Sequence, residues 1–274
     1  MYVCRLFGIS RQGVYQQEKR SLSRFKELEK VKELVVEKRL SLPRLGTRKL
    51  YFLLKDSLQD NQIKLGRDGL FRFLRHEHML IKPLRSYHKT THSKHWLHKH
   101  ANLAQDYRPT KPEQLWVADI TYIETKEETV YLSLVTDAYS RKIVGHHVHA
   151  SLQAHSVSQA YKNALKTRVF NHQLIHHSDR GLQYCSSLYQ NIHQQHKVRC
   201  SMTDGYDCYQ NALAERINGI LKHEFLITKP QNLQQAVLMI KQSIDAYNHK
   251  RPHLSLNYRT PNEVHKQIVL ANIN

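Results

Sequence analysis

Three strand-like segments in close succession constrain the fold of this 274-residue chain more than any other feature. They lie at residues 115–123, 129–136 and 142–149, are rich in Val, Ile, Thr and Tyr, and are joined by short polar turns. Such segments favour strands that pair as an antiparallel meander. Helical and strand patterns then alternate. Helices are predicted at residues 156–168, 184–195 and 211–225, and strands at residues 173–177 and 198–202. We therefore predict an α/β fold with a mixed five-stranded sheet, a meander plus parallel strands, flanked by helices.

The chain before this sheet is predicted to be all-α. Residues 1–83 are typical of a helix-turn-helix-like region that lacks its front half, with a turn from Gly8 to Ser10 and Ser10 as the N-cap of the next helix. Further helices are expected at residues 22–40, 47–58 and 67–78. Asp68 is the predicted cap of the last of these helices.

A polar, His-rich linker is predicted at residues 84–112, and the core with a C-terminal helical tail at residues 113–274. Histidines stand in the linker at positions 88, 92, 95, 98 and 100. Their spacing is irregular and no cysteine accompanies them, so ordinary linker composition is favoured over a zinc site.

The net charge of +19 is concentrated at the front of the chain. Residues 1–114 carry 25 basic and 11 acidic side chains, whereas residues 115–274 carry 17 and 12. A surplus of one sign attracts polyanions, of which nucleic acid is the commonest. We predict that Arg67, Arg72 and Arg75 contact DNA phosphates; a solvated charged face is the alternative.

Several classes of protein are excluded by the sequence. No window approaches the roughly 18 apolar residues of a membrane span, and the N-terminus does not have the pattern of a secretory signal. The four cysteines have neither a C-x-x-C pair nor a short regular spacing, which argues against a disulfide framework and a zinc ribbon. A reducing cytoplasm is the predicted location.

Three acidic residues stand where structure alone does not require them. Asp119 lies inside the first predicted strand, although Asp is depleted in strands and costly to bury. Asp179 follows the fourth strand. Glu215 lies on the polar side of the last predicted helix, a side that it shares with Asn211, Asn218 and Lys222.

Carboxylates brought together repel one another unless a cation lies between them. Oxygen ligands without organised Cys or His favour Mg²⁺, or Mn²⁺ as a substitute. Two such ions about 4 Å apart can promote an in-line displacement at phosphorus. Each acid also has an ordinary structural interpretation: an edge-strand Asp for Asp119, a turn former for Asp179 and a solvent-facing helix residue for Glu215. The residues alone leave both interpretations open.

Four ordered motifs carry a family resemblance. They are WVADITYI from Trp116, HHSDRGLQY from His176, NALAERINGILKHEF from Asn211 and IDAYNHKRPHLSLNYRTPNEV from Ile244. Together they resemble the second-frame product of the insertion-sequence-three family of DDE transposases, whose core is similar to retroviral integrase and has the ribonuclease-H-like fold. Gln210 stands where this family often has an acidic residue before Asn-Ala; because it is not a triad position, this departure concerns local turn or DNA contacts more than chemistry.

The resemblance implies a metal-binding catalytic triad of Asp119, Asp179 and Glu215 that holds two Mg²⁺ ions. It implies cleavage at the ends of an insertion sequence and transfer of the freed strand to target DNA. Lys222 would grip a phosphate near the scissile bond, and the other expected DNA contacts of the core are Arg180, Asn211 and Asn218.

The implied partners are double-stranded DNA at element ends and targets, a possible upstream-frame product, and a second copy of the chain, all at the bacterial nucleoid. Two alternatives remain open: a catalytically inactive, element-derived DNA-binding protein and a ribonuclease-H-like nuclease. Trp116 and Tyr122 are assigned to the core, with stacking on bases as the alternative, and Arg251 to a loop that contacts DNA or forms a structural corner.

Overall fold

The chain divides into two compact units, Met1–Lys82 and Pro83–Asn274. The computed structural model describes residues 8, 10–82, 99–204 and 208–271. Within these ranges no helix is long and apolar enough to cross a membrane.

The first unit is helical, as predicted. Its helices are α1 (Arg11–Ser41), α2 (Thr47–Asp60) and α3 (Arg67–His76). Leucines and valines at helical spacing form its interior, and Val31, Val35, Leu50, Leu54, Leu70 and Leu74 are all fully buried. The part of the first helix of the expected helix-turn-helix that the chain retains falls on residues 1–7, which lie outside the described residues.

The N-termini of α1 and α3 show whether the two predicted N-caps are present. The Ser10 hydroxyl accepts a 2.9 Å hydrogen bond from the Gly13 amide, so the predicted cap of α1 is confirmed. The predicted cap of α3 is wrong, because α3 is preceded by Gly66 and makes no side-chain capping bond. Asp68 lies inside the first turn and pairs with Arg67 at 2.9 Å.

The second unit contains the predicted mixed sheet of five strands. The strands are β1 (Leu115–Glu124), β2 (Thr129–Asp137), β3 (Ile143–His149), β4 (Ile175–Ser178) and β5 (Arg199–Met202). Their spatial order is β3-β2-β1-β4-β5. The first three pair antiparallel, and β4 and β5 are added in parallel, so the predicted meander and parallel strands are both confirmed.

Helices cover both faces of this sheet. They are α4 (Ala154–Lys166), α5 (Leu182–Cys185), α6 (Ser187–Gln195), α7 (Ala212–Ile220), α8 (Leu233–His249) and α9 (Pro261–Ala271). The helix predicted at 184–195 is interrupted at Ser186, whose hydroxyl caps α6. The helix predicted at 211–225 begins as a 3₁₀ turn and ends as a π turn over Leu221–Phe225.

The two faces of the sheet have separate cores. Trp116, Tyr161 and Tyr189 are fully buried between the sheet, α4 and α6, which confirms the core assignment of Trp116. Ala214 of α7 packs on the opposite face with Val117 and other residues of the strands. The side chains that alternate along β1 therefore contact different helices.

Part of the predicted linker belongs to this unit. Residues 84–98, with four of the five linker histidines, lie outside the described residues. Beyond them, the Met202 amide donates to the Ala101 carbonyl at 3.4 Å and the Leu103 amide donates to the Ser201 hydroxyl at 2.8 Å. Leu103 and Tyr107 pack on the core of the α7 face. The assignment of residues 101–107 to a linker is therefore wrong, because they are bonded to β5 and packed on the sheet.

The contact between β3 and α4 leaves no room for a side chain at Gly145. A Cβ there would clash with the Ala160 carbonyl and lie 2.7 Å from the Ala164 methyl. We expect Gly145→Ala to lower the free energy of unfolding by about 1–3 kcal/mol, measured by urea denaturation. Gly219→Ala is the control: nothing lies within 4 Å of its Cβ, so that change should leave stability unchanged or raise it by up to about 1 kcal/mol. Equal effects of the two variants would contradict this packing.

Candidate active site

Asp119 and Asp179 lie where two neighbouring parallel strands part. β1 and β4 pair from Leu115 opposite Ile175 to Val117 opposite His177, and their pairing ends there. The same register places Asp179 across from Asp119, on strands about 4.8 Å apart where they are paired. Both acids are half-buried. Their carboxylates therefore share the edge at which the strands separate.

Two asparagine side chains fasten α7 to β1 beside these acids. The Asn211 amide donates to the Ala118 carbonyl at 3.0 Å, and the Asn218 amide donates to the Asp119 carboxylate at 2.8 Å. Glu215 lies one turn before Asn218 on the same stripe of the helix, and it is exposed. The fastening of α7 thus sets the place from which Glu215 extends.

The structure corrects the prediction that the side chains of Asn211 and Asn218 contact DNA. Both side chains are buried, and both are bonded to β1. In this conformation neither amide is presented to DNA, because each is used to hold the helix on the sheet. Their carbonyl oxygens are buried without a hydrogen-bond partner among the described residues.

The three acids act on one another electrostatically. Burial raises the pKa of Asp119 to about 7, and the charges of Asp179 and Glu215 add to that rise. Burial and the charge of Asp179 also raise the pKa of Glu215. Among the described residues, however, no group of three or more His, Cys, Asp or Glu side chains is close enough to hold a metal ion. The acids are neighbours in this conformation but do not form an assembled metal site.

Lys222 also lies beside Asp119. Its amine is 4.0 Å from the centre of the Tyr122 ring, and that ring is half-buried. Burial lowers the pKa of Lys222, and the negative charges of Asp119 and Glu124 oppose that change. The Lys222 ammonium thus lies over an aromatic face and interacts electrostatically with Asp119 and Glu124.

The predicted arginine contacts have different surroundings. Arg180 is half-buried, with its guanidinium 4.0 Å from the Asp204 carboxylate. Arg67, Arg72 and Arg75 are exposed on α3 in the first unit. All four remain predicted DNA contacts.

His177 is a site residue that the sequence analysis missed. Its ring lies 2.8 Å from the Ser201 hydroxyl and 3.1 Å from the Gln210 carbonyl, so it joins β4 and β5 to the start of α7. Burial lowers the pKa of His177, which favours the neutral form of the ring. Its position two residues before Asp179, on the same side of the strand, was the available signal.

Gln210 has a structural role at the same place. Its side-chain oxygen accepts a 3.1 Å hydrogen bond from Asn102, and its amide donates to Asp204 at 3.2 Å. The departure from the acidic residue of the family therefore affects the turn that precedes α7.

Known proteins match this chain over most of its length. Two integrase core domain models match it, at residues 109–208 and 196–261. The chain is 35% identical over 264 residues to the insertion element IS600 uncharacterized 31 kDa protein of Shigella sonnei, which covers 94% of this chain and 96% of that protein. It is 34% identical over 181 residues to the transposase for insertion sequence element IS904 of Lactococcus lactis, which covers 63% of this chain and 72% of that one.

The chain belongs to the insertion-sequence-three family of DDE transposases. It is a transposase and a polynucleotidyl transferase with an integrase core domain. The two alternatives, an inactive DNA-binding remnant and a ribonuclease-H-like nuclease, gain no support from these relatives.

A solved structure gives independent evidence for the fold of the transposase. The cryoEM structure of the simian T-cell lymphotropic virus intasome in complex with PP2A regulatory subunit B56 gamma matches with a TM-score of 0.51 at 16% identity, over 81% of this chain and 70% of that chain. The likeness confirms the integrase-like, ribonuclease-H-like fold that the resemblance implied.

The raised pKa of Asp119 predicts that the metal-free transposase loses stability as the pH rises. The ordinary pKa of an unfolded Asp is about 3.9, so between about pH 4 and pH 7 the folded state binds more protons than the unfolded state. Asp119→Asn removes this effect and should raise the melting temperature by about 2–4 °C or more at pH 8 in EDTA, with no rise at pH 4.5. Asp106→Asn, at an exposed position of the same unit, is the control. A gain that is equal at both pH values would show that Asp119 has an ordinary pKa.

Proposed function

We propose that Asp119, Asp179 and Glu215 bind two divalent cations, Mg²⁺ or Mn²⁺, with which the transposase cleaves DNA at the ends of its element and joins the freed strand to target DNA. The observation that carries the proposal is the three-way electrostatic interaction of these carboxylates at the edge where β1 and β4 separate. Groups that raise one another's pKa by repulsion gain most from a shared cation.

The donor chemistry fits such cations. All three side chains offer carboxylate oxygens, the ligands that Mg²⁺ prefers. The Asn218 side chain, which already donates to Asp119, has a buried carbonyl oxygen with no hydrogen-bond partner among the described residues. Bound there, the ions would supply Lewis-acid chemistry at phosphorus. Because Glu215 is exposed, it can change rotamer at little cost when the repulsion is relieved.

Basic side chains would hold the DNA substrate. Lys222 interacts electrostatically with Asp119, and its ammonium group would bind a phosphate near the scissile bond. Arg180 and the exposed arginines of α3 would bind phosphates further along the duplex. We also propose that two or more copies act together on the two element ends, with an upstream-frame product as a further partner at the bacterial nucleoid.

Loss of an acid should stop the chemistry and spare DNA binding. We expect Glu215→Gln and Asp179→Asn each to lower strand cleavage of element-end DNA in Mg²⁺ by at least about 100-fold, since even groups that only support metal ligands are worth about 10–100-fold. DNA affinity measured in EDTA should change by less than about threefold, because neither variant removes a cation. Glu127→Gln, which neutralises an exposed acid in the β1–β2 turn, should retain full activity. Full cleavage by Glu215→Gln would refute the proposed triad.

The affinity for Mg²⁺ or Mn²⁺ should increase as the pH rises. The cation competes with the proton on Asp119, whose pKa is about 7, so affinity should rise from pH 6 to pH 8. Isothermal titration calorimetry with Mn²⁺ in two buffers of different ionisation enthalpy would detect the proton that is released. Asp119→Asn should abolish this release. Binding that is equally tight at both pH values would contradict the assignment of Asp119 as a ligand.

A further inference from the structure

The tail motif IDAYNHKRPH has no part in the proposed function, yet its side chains are anchored to the sheet. The Asn248 side chain accepts a hydrogen bond from the Ile143 amide and donates one to the Ile143 carbonyl, both at 3.0 Å. The Tyr247 hydroxyl donates to the Arg141 carbonyl at 2.9 Å. Both side chains are buried. The C-terminal end of α8 is therefore fixed to β3 and to the turn before it.

Arg251 extends from this fixed point to Glu224. Its guanidinium donates to the two carboxylate oxygens of Glu224 at 2.7 and 2.6 Å, and it also lies 3.0 Å from the His253 ring. The Arg251 side chain is only 3% exposed, so it does not contact DNA in this conformation. Such two-point pairing fixes the orientation of a carboxylate as well as its distance.

Glu224 and Lys222 belong to the same turn. The π turn Leu221–Phe225 carries both side chains, and its first and last residues are buried. Single π turns are rare and often mark functional sites, because the wider winding redirects the side chains that follow. Here the turn brings Lys222 over the Tyr122 ring and beside Asp119. What fixes Glu224 therefore also fixes the direction of Lys222.

We propose that Arg251 is a positioning residue for Lys222: through Glu224 it holds the π turn so that the Lys222 ammonium faces the scissile phosphate. The inference rests on the proposed role of Lys222 in binding DNA. Arginine is required for this task, because the point charge of lysine cannot grip both carboxylate oxygens in a fixed orientation.

A double-mutant cycle tests this coupling. Arg251→Lys should raise the KM for element-end DNA by about 5–50-fold, the size expected for coupled neighbours, and Lys222→Gln should raise it at least as much. In the Lys222→Gln background, Arg251→Lys should have no further effect on KM. Arg259→Lys makes the same substitution at an exposed position of the same tail and should leave KM unchanged in both backgrounds.

Stability measurements separate positioning from folding. Arg251→Lys should lower the melting temperature equally in both backgrounds, whereas its effect on KM should appear only when Lys222 is present. If Arg251→Lys does not fold, Glu224→Gln serves instead, since Glu224 is 23% exposed and the amide keeps one acceptor oxygen. Independent, multiplicative effects on KM would overturn the inference and leave the role of Lys222 intact. An unchanged KM in Lys222→Gln alone would refute that role, and the inference with it.

Discussion

Burial of neighbouring carboxylates is the constraint on which the proposed active site depends. Asp119 and Asp179 meet because β1 and β4 are parallel neighbours that part just before both residues, and Glu215 of α7 interacts electrostatically with both. Burial, together with the charges of Asp179 and Glu215, raises the pKa of Asp119 to about 7. A divalent ion bound at the proposed site would lower the electrostatic cost of ionising these acids.

The rest of the second unit keeps that arrangement in place. Asn211 and Asn218 hold α7 on β1, and His177 joins the start of that helix to β4 and β5. Arg251 holds the end of the same helical segment through Glu224. Amides and a neutral imidazole suit the positions next to the acids, because they bond to the sheet without adding charge at a site where charge balance matters.

Sequence patterns predicted the elements and missed the interruptions, for physical reasons. The strands and the position of Asp119 could be predicted, because a run of β-branched residues and a polar residue inside such a run are local signals. The π turn could not be predicted, since the apolar spacing of the helix continues through it. A polar stripe on a helix has the same sequence pattern whether it faces DNA or a strand. The sequence therefore predicted DNA contacts for Asn211 and Asn218, whose side chains instead bond to β1. The burial of Arg251 depends on a partner 27 residues away.

A crystal structure of the transposase with Mn²⁺ and element-end DNA would show whether the three acids bind the metal. The anomalous scattering of Mn²⁺ locates the ion without reference to the protein. We expect a peak within coordination distance of carboxylate oxygens from Asp119 and Asp179, with Glu215 rotated towards it. An anomalous peak elsewhere in the second unit, with the three acids unchanged and without a bound ion, would contradict the proposed metal site.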